Sequence, residues 1–214
     1  MVARRFWDLH SQGWDKMRSQ PTGQLWIAGA LDLLTAELEG GGAVLDLGCG
    51  PGHHAVGLAE RGFTVTAVDY SSSMLELART RARQAGIATV TFVEADLNRP
   101  LPLPAESFDG ALCISVLQVI DDPAEFAREV ARTLRPGGRL LVEVGLRRGA
   151  LSRDSTLTGA DRALNIIKQQ AARLPGALLH FDPPQLGGLV EEAGLAILTA
   201  EQVGARYLLL AQRP

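Results

Sequence analysis

The chain has 214 residues, is 46% hydrophobic and carries a formal net charge of −3, which suits one domain with a full core. Its basic residues are scattered, the densest groups being the pairs Arg4-Arg5 and Arg147-Arg148, so no footprint for nucleic acid or an anionic membrane surface is present. No segment approaches the roughly 20 apolar residues of a membrane span, residues 1–15 lack the apolar run of a signal peptide, and the two cysteines, Cys49 and Cys113, lack metal-ligand spacing, so reduced thiols in a cytoplasmic protein are expected.

In chain order, residues 1–40 read as helical. Leu25, Ile27, Ala28, Leu31, Leu33, Leu34 and Leu38 form a helix-like apolar face, and Gly40-Gly41-Gly42 stops it. Ala43–Leu47 is a short apolar run, as in a buried parallel strand. A helix follows the next glycines, with Ala55, Val56, Leu58 and Ala59 inward and Gly62 as its stop. Thr64–Val68 is β-branched and reads as a second strand. Ser71–Ser73 caps a helix running to about Ala85, and Thr89–Val93 is a third strand. L-N-R-P-L-P-L-P-A-E-S is a proline-rich loop. Phe108–Val116 is a fourth strand. Asp121-Asp122-Pro123 opens a helix with Phe126, Val130 and Leu134, Pro136-Gly137-Gly138 is a turn, and Arg139–Val144 is a fifth strand.

Residues 146–185 interrupt this alternation and read as an inserted helical lid. Gln185–Ala193 is a helix, and Leu195–Val203 with Arg206–Gln212 form a hairpin. The expected fold class is α/β: a Rossmann-like doubly wound, seven-stranded mostly parallel sheet with an antiparallel C-terminal hairpin strand and helices on both faces. The parts within the single domain 1–214 are a helical cover (1–40), a cofactor-binding core (41–145), the lid (146–185), and a C-terminal helix and hairpin (186–214).

Ligands of such sheets sit at the carboxyl ends of the strands, so the loop G-C-G-P-G-H-H after the first strand is the expected site. Gly48, Gly50 and Gly52 allow a tight turn and close backbone approach. Asp69 ends the second strand, where a carboxylate can accept from a ribose diol. A dinucleotide loop is the competing reading, because Ala55 could replace the last glycine of G-x-G-x-x-G. Asp46, just before the first glycine, would repel a pyrophosphate and suits a cation or amino group. Asp96, in E-A-D-L, can accept from an exocyclic amine. Three carboxylates at three consecutive strand ends describe a ligand with an amino group, a ribose and an adenine, without phosphate.

The stretches V-L-D-L-G-C-G-P-G, V-T-A-V-D-Y-S-S-S-M-L, V-E-A-D-L, S-F-D-G-A-L-C-I-S-V-L-Q-V-I and L-R-P-G-G-R-L-L-V together resemble a class I S-adenosylmethionine-dependent methyltransferase over about residues 40–145. The resemblance implies S-adenosylmethionine as cofactor and S-adenosylhomocysteine as product. It implies that Asp46 and the backbone of Gly48, Cys49, Gly50 and Gly52 face the methionine part and ribose, and that Asp69 holds the ribose hydroxyls. Tyr70 and Met74 would pack on the adenine, and Asp96 and the Leu97 backbone would meet its edge. Ile114, Ser115 and Val116 would flank the sulfonium. Met74 and Leu97 also fit plain core positions, Asp109 fits an organiser of its strand, and Cys49 fits a small loop residue. F-W-D-L-H-S-Q-G-W-D resembles the lead-in of small-molecule members. There Trp14 would cover the cofactor, or it would pack the first helix onto the sheet.

Methyl transfer needs an aligned acceptor and exclusion of water, and a base only where the acceptor must lose a proton. Base candidates are His10, His54 and His180. His53 and His54 open a helix, where its dipole favours the neutral form. They point about 100° apart, so metal ligation is not expected. One of the pair is expected under the loop and the other at the pocket rim. The fourth strand is not followed by N/D-P-P-Y/F/W, which argues against amino methylation of nucleic-acid bases, and two cysteines argue against metalloid methylation. The expected activity is methyl transfer to a small-molecule acceptor by in-line displacement. A noncatalytic S-adenosylmethionine-binding protein and a nicotinamide-dependent oxidoreductase are the alternatives. The apolar C-terminal hairpin leaves core and homodimer interface both open.

Overall fold

A computed structural model describes residues 2–38, 40–145, 181–204 and 206–214. Two helices come first, α1 (Val2–Arg18) and α2 (Pro21–Thr35). They lead into β1 (Ala43–Leu47), α3 (His53–Glu60), β2 (Thr64–Asp69), α4 (Ser72–Gln84), β3 (Val90–Glu94) and β4 (Phe108–Ile114). After a short 3-10 turn come α5 (Pro123–Thr133) and β5 (Leu134–Gly145). The chain then closes with α6 (Pro183–Glu192), β6 (Ala196–Val203) and β7 (Arg206–Gln212). Of the expected lid, residues 146–180 lie outside the described residues.

The seven strands form one sheet in the order β3-β2-β1-β4-β5-β7-β6. The pairs β1·β2, β2·β3, β1·β4 and β4·β5 are parallel, while β7 runs antiparallel to both β5 and β6. This is the expected doubly wound sheet. The chain moves outward from β1 to β3 and then returns to place β4 on the other side of β1. That reversal opens the crevice at the carboxyl ends of β1 and β4, where ligands of such sheets bind.

Side-chain alternation divides the core between the two faces. Val44, Leu112, Leu141, Leu208 and Leu210 pack with Leu31 and Leu34 of α2 and Leu58 of α3. Leu45, Cys113, Val142 and Leu209 pack on the opposite side with Phe126 of α5 and Leu186 of α6. Helix starts are set by polar caps. Ser71 accepts from the Met74 N–H, Asp122 from Glu125, and Asp182 forms a reciprocal box with Gln185.

β5 runs from Leu134 rather than from Arg139, so the expected Pro-Gly-Gly turn lies inside the strand. Its irregular pairing between Phe108 and Gly110 absorbs the extra residues. Asp109 accepts from the Ala43 N–H at 2.7 Å and pairs with Arg135, so it organises the start of its strand. Among the described residues, no helix is long and apolar enough to cross a membrane.

Candidate active site

The glycine loop is a string of left-handed backbone conformations, with φ of 66° at Gly48, 52° at Gly50 and 79° at Gly52. A Cβ at Gly52 would lie 2.7 Å from the Ala78 Cβ, so the loop lies directly against α4. Cys49 is part of the same turn. Its N–H donates to the Val68 carbonyl, and burial pushes its thiol well above the usual range, so it carries no nucleophilic thiolate.

Asp69 closes β2 and braces the loop. Its two carboxylate oxygens accept from the Gly50 N–H and the Ser71 N–H, each at 2.9 Å. Burial raises its pKa, and these backbone donors oppose the rise. Trp14 and Met74 pack together over Gly50, where a Cβ would meet Trp14 Nε1 at 3.7 Å and Met74 Sδ at 3.9 Å. Arg18 lies over the Trp14 ring. Helix α1 is held in this position by polar contacts. Asp15 accepts from Arg81 and from His53 Nε2, and Asp8 accepts from the Ser71 hydroxyl. Tyr70, half-buried, follows Asp69 in the chain.

Asp96 lies two residues beyond the end of β3 and is exposed. Its Oδ1 accepts from the Asn98 N–H at 3.0 Å. The Leu97 side chain joins the apolar core. Ile114 and Val116 are buried on opposite faces of the sheet. Between them Ser115 has a φ of 59°, a conformation that costs a residue with a Cβ. The sequence therefore brings Trp14, Gly50, Asp69 and Met74 into one group, while Asp96 stands apart at the surface.

A second group surrounds Asp46. Asp46 is 2% exposed and its Oδ2 has no partner among the described residues. Burial and then the Asp69 charge push its pKa up to about 7, against the Ala55 N–H and the Arg18 guanidinium. Arg18, at the end of α1, is buried, and its pKa falls to about 10 through desolvation and then the Arg206 charge. Glu143 of β5 is 1% exposed. Its Oε2 accepts from the Ser115 hydroxyl at 2.8 Å and lies 3.4 Å from the Arg206 guanidinium, while its Oε1 has no partner among the described residues. Arg206 lies over the Trp26 ring, 4.5 Å from its centroid. Because β7 is antiparallel, its first residue, Arg206, arrives at the carboxyl end of the parallel strands, opposite Gly145.

The histidines divide sharply. His53 Nε2 donates to Asp15 at 2.8 Å and its Nδ1 accepts from Gln24 Nε2 at 3.3 Å. Burial, then Arg81, lowers its pKa to about 4. His54 is buried, its Nε2 has no partner among the described residues, and burial with Arg18, His53 and Arg206 lowers its pKa well below the usual value. Both rings are buried, His53 between Asp15 of α1 and Gln24 of α2. His10 stacks on Phe6 and contacts its carbonyl. His180 lies outside the described residues. Among the described residues, no group of His, Cys, Asp and Glu is arranged to hold a metal.

Arg18, Trp26, Glu143 and Arg206 were not singled out from the sequence. One signal was available: Glu143 is a lone carboxylate inside the apolar run L-L-V-E-V, and a charge in a central strand is expensive without a purpose.

The family model described as a methyltransferase domain matches residues 45–142. A ubiquinone biosynthesis O-methyltransferase of Paracidovorax citrulli is 30% identical over 166 residues, covering 78% of this chain and 67% of that one. Methyltransferase GfsG of Streptomyces halstedii is 37% identical over 169 residues, covering 78% of this chain and 57% of its own. Among solved structures, an S-adenosylmethionine-dependent methyltransferase of Mesorhizobium loti superposes with a TM-score of 0.68 at 26% identity, covering 87% of this chain and 100% of that one.

Proposed function

Because the chain belongs to the class I S-adenosylmethionine-dependent methyltransferases, we propose that its methyl acceptor is a small molecule. The acceptor reading rests on the O-methyltransferase relative, and the observation that supports the cofactor's placement is the buried charged group around Asp46. It pairs an unpartnered carboxylate oxygen with the Arg18 guanidinium beside the glycine loop. That donor set fits a zwitterionic amino-acid end, with the ammonium on Asp46 and the carboxylate on Arg18.

When bound, the cofactor supplies a methyl carbon already activated by its sulfonium. The residues of the chain bind and orient around it. Asp69 has spare lone pairs for the ribose diol while it braces Gly50. Trp14, Met74 and Tyr70 wall the adenosine, Trp14 as the cover contributed by α1. Asp96 and the Leu97 backbone meet the adenine edge from the mouth of the site. The backbone of Gly48, Cys49 and Gly52 lies along the ribose and methionine part, and Ile114, Ser115 and Val116 flank the methyl. The small-molecule acceptor is supported by the O-methyltransferase name of a relative and by the net charge of −3.

The test is a calorimetric titration with S-adenosylmethionine and S-adenosylhomocysteine, followed by transfer of a labelled methyl group into a protein-free extract of small molecules. Label in that extract is the expected outcome. Binding without such transfer, with label entering only protein or nucleic acid, overturns the small-molecule reading. Absence of binding overturns the cofactor contacts.

A further inference from the structure

Four buried side-chain polar atoms without a partner among the described residues belong to one layer: Trp26 Nε1, Asp46 Oδ2, His54 Nε2 and Glu143 Oε1. Buried polar groups are almost always paired in native proteins, so a concentration of orphans marks a place where a ligand completes the hydrogen bonding. The layer sits on the apolar cluster of Leu112, Ile114, Leu141 and Leu208, at the carboxyl ends of β1, β4 and β5. Asp46 and Arg18 account for the amino-acid end of the cofactor. Glu143 is left over, and the binding of the cofactor gives it no task.

Its geometry is specific. Ser115 donates to Oε2 and Arg206 approaches the same oxygen, which fixes the carboxylate and leaves Oε1 buried and free to accept. Ser115 holds that bond from a strained backbone at the end of β4. Resting on the reading that residues 114–116 flank the methyl, we propose that Glu143 is a catalytic residue, the proton acceptor for a phenol-type hydroxyl on the methyl acceptor. The acceptor O–H bond breaks and its proton passes to Glu143 Oε1. The freed oxygen pair forms the bond to the methyl carbon, and the pair of the cleaved C–S bond stays on sulfur.

Two neighbours are poorer bases. His54 would have to hold a positive charge beside Arg18, Arg206 and His53 at the start of a helix, where every nearby cation and the dipole oppose it. Asp46 lies under the glycine loop with the cofactor's ammonium. Glu143 keeps one carboxylate oxygen, Oε1, buried and without a donor among the described residues, while Ser115 and Arg206 hold the other. A phenol also suits a carboxylate better than an alcohol does, because its ordinary pKa, near ~10, lies far closer to that of a carboxyl.

The test uses 4-nitrophenol as the probe, bound to the full chain loaded with S-adenosylhomocysteine, with its ionisation read by absorbance. A fixed carboxylate facing the hydroxyl should raise the pKa of the bound probe above its value in water. In Glu143→Gln, where Arg18, Arg206, Asp46 and His54 remain, that pKa should fall by about 1 unit or more. Turnover of a less acidic phenol should drop on the order of 100-fold in the variant, with cofactor affinity changed less than about threefold, within the scatter of independent sites. An unshifted or lowered probe pKa in the wild-type complex overturns the assignment, as does equal pKa in the two proteins or failure of the loaded wild type to bind the probe. Loss of S-adenosylhomocysteine binding by the wild type would instead overturn the cofactor contacts.

Discussion

Asp46 and Asp69 end neighbouring strands on either side of the same glycine loop, and the protein treats the two carboxylates in opposite ways. Asp69 has a backbone donor on each oxygen. Asp46 has one oxygen with no donor among the described residues, and burial together with Asp69 pushes its pKa up to about 7. The difference separates two tasks. A satisfied carboxylate holds a shape, and the shape is present before any ligand arrives. An unsatisfied one costs the empty protein free energy that a complementary ligand returns.

The largest expected effect lies on the satisfied side. Asp69→Ala leaves the buried Gly50 and Ser71 N–H groups without acceptors, so the cofactor-free protein should lose about 4 kcal/mol of stability, at about 1–3 kcal/mol per orphaned donor. Urea unfolding checks this. Affinity for S-adenosylmethionine should fall by a further 1–3 kcal/mol or so through the lost ribose contact. Unchanged stability would mean that the loop keeps its shape without Asp69. Gly52→Ala should cost nearly as much, about 3 kcal/mol. Its new Cβ would sit 2.7 Å from the Ala78 Cβ, at a φ of 79° that an L side chain resists. A melting temperature equal to wild type would show that α4 can withdraw freely.

This contrast also explains what the sequence could reveal. The strands and helices, the loop and Asp69 follow from local signals: glycines at turns, apolar runs, and a carboxylate at a strand end. Trp14 was legible as an aromatic in the lead-in, and the structure seats it on Gly50 with Met74. The charged layer was not legible in the same way. Arg18, Glu143 and Arg206 lie far apart in the chain, and only the antiparallel return of β7 brings Arg206 to Glu143. Periodicity identifies which face a residue occupies, but the pairing of buried charges depends on strand order. The histidines were conspicuous as an adjacent pair, but their surroundings depend on tertiary contacts: both are buried, His53 bonded to Asp15 and Gln24, and His54 with an Nε2 that has no partner among the described residues.

On the unsatisfied side, substitution should separate binding from stability. Asp46→Asn removes a buried carboxylate whose pKa, raised to about 7, costs stability as the pH rises above 3.8, so the cofactor-free variant should match wild type only in acid and be more stable than it at neutral and alkaline pH. Affinity for S-adenosylmethionine should nevertheless fall by about 2 kcal/mol, the scale of a charge-assisted hydrogen bond. Parallel unfolding and calorimetry decide the matter. If Asp46→Asn destabilises the empty protein as Asp69→Ala does, the two carboxylates do the same work and the contrast fails.

The smallest expected effect is a pH dependence with opposite signs at two buried groups. The folded pKa of Asp46 is raised from 3.8 to about 7, so its contribution to stability is full below its unfolded value and is lost as the pH rises through 7. His53 is lowered from 6.5 to about 4, so its contribution is present above 6.5 and is lost as the pH falls through 4. Asp69 is also raised and adds to the Asp46 trend. In wild type the slopes of Asp46 and His53 oppose each other, and the net curve between these limits should be shallow. Asp46→Asn removes the larger falling component, so its stability should climb relative to wild type as the pH rises. Cofactor binding reads the same group directly. An ammonium placed on Asp46 requires the carboxylate, so binding at pH 7 should release about half a proton, fewer above that pH and more below it. Calorimetry in two buffers of different ionisation heat measures that release. Asp46→Asn should abolish the Asp46 share, and an equal release in the variant would assign the proton to Asp69 and leave Asp46 without the ammonium.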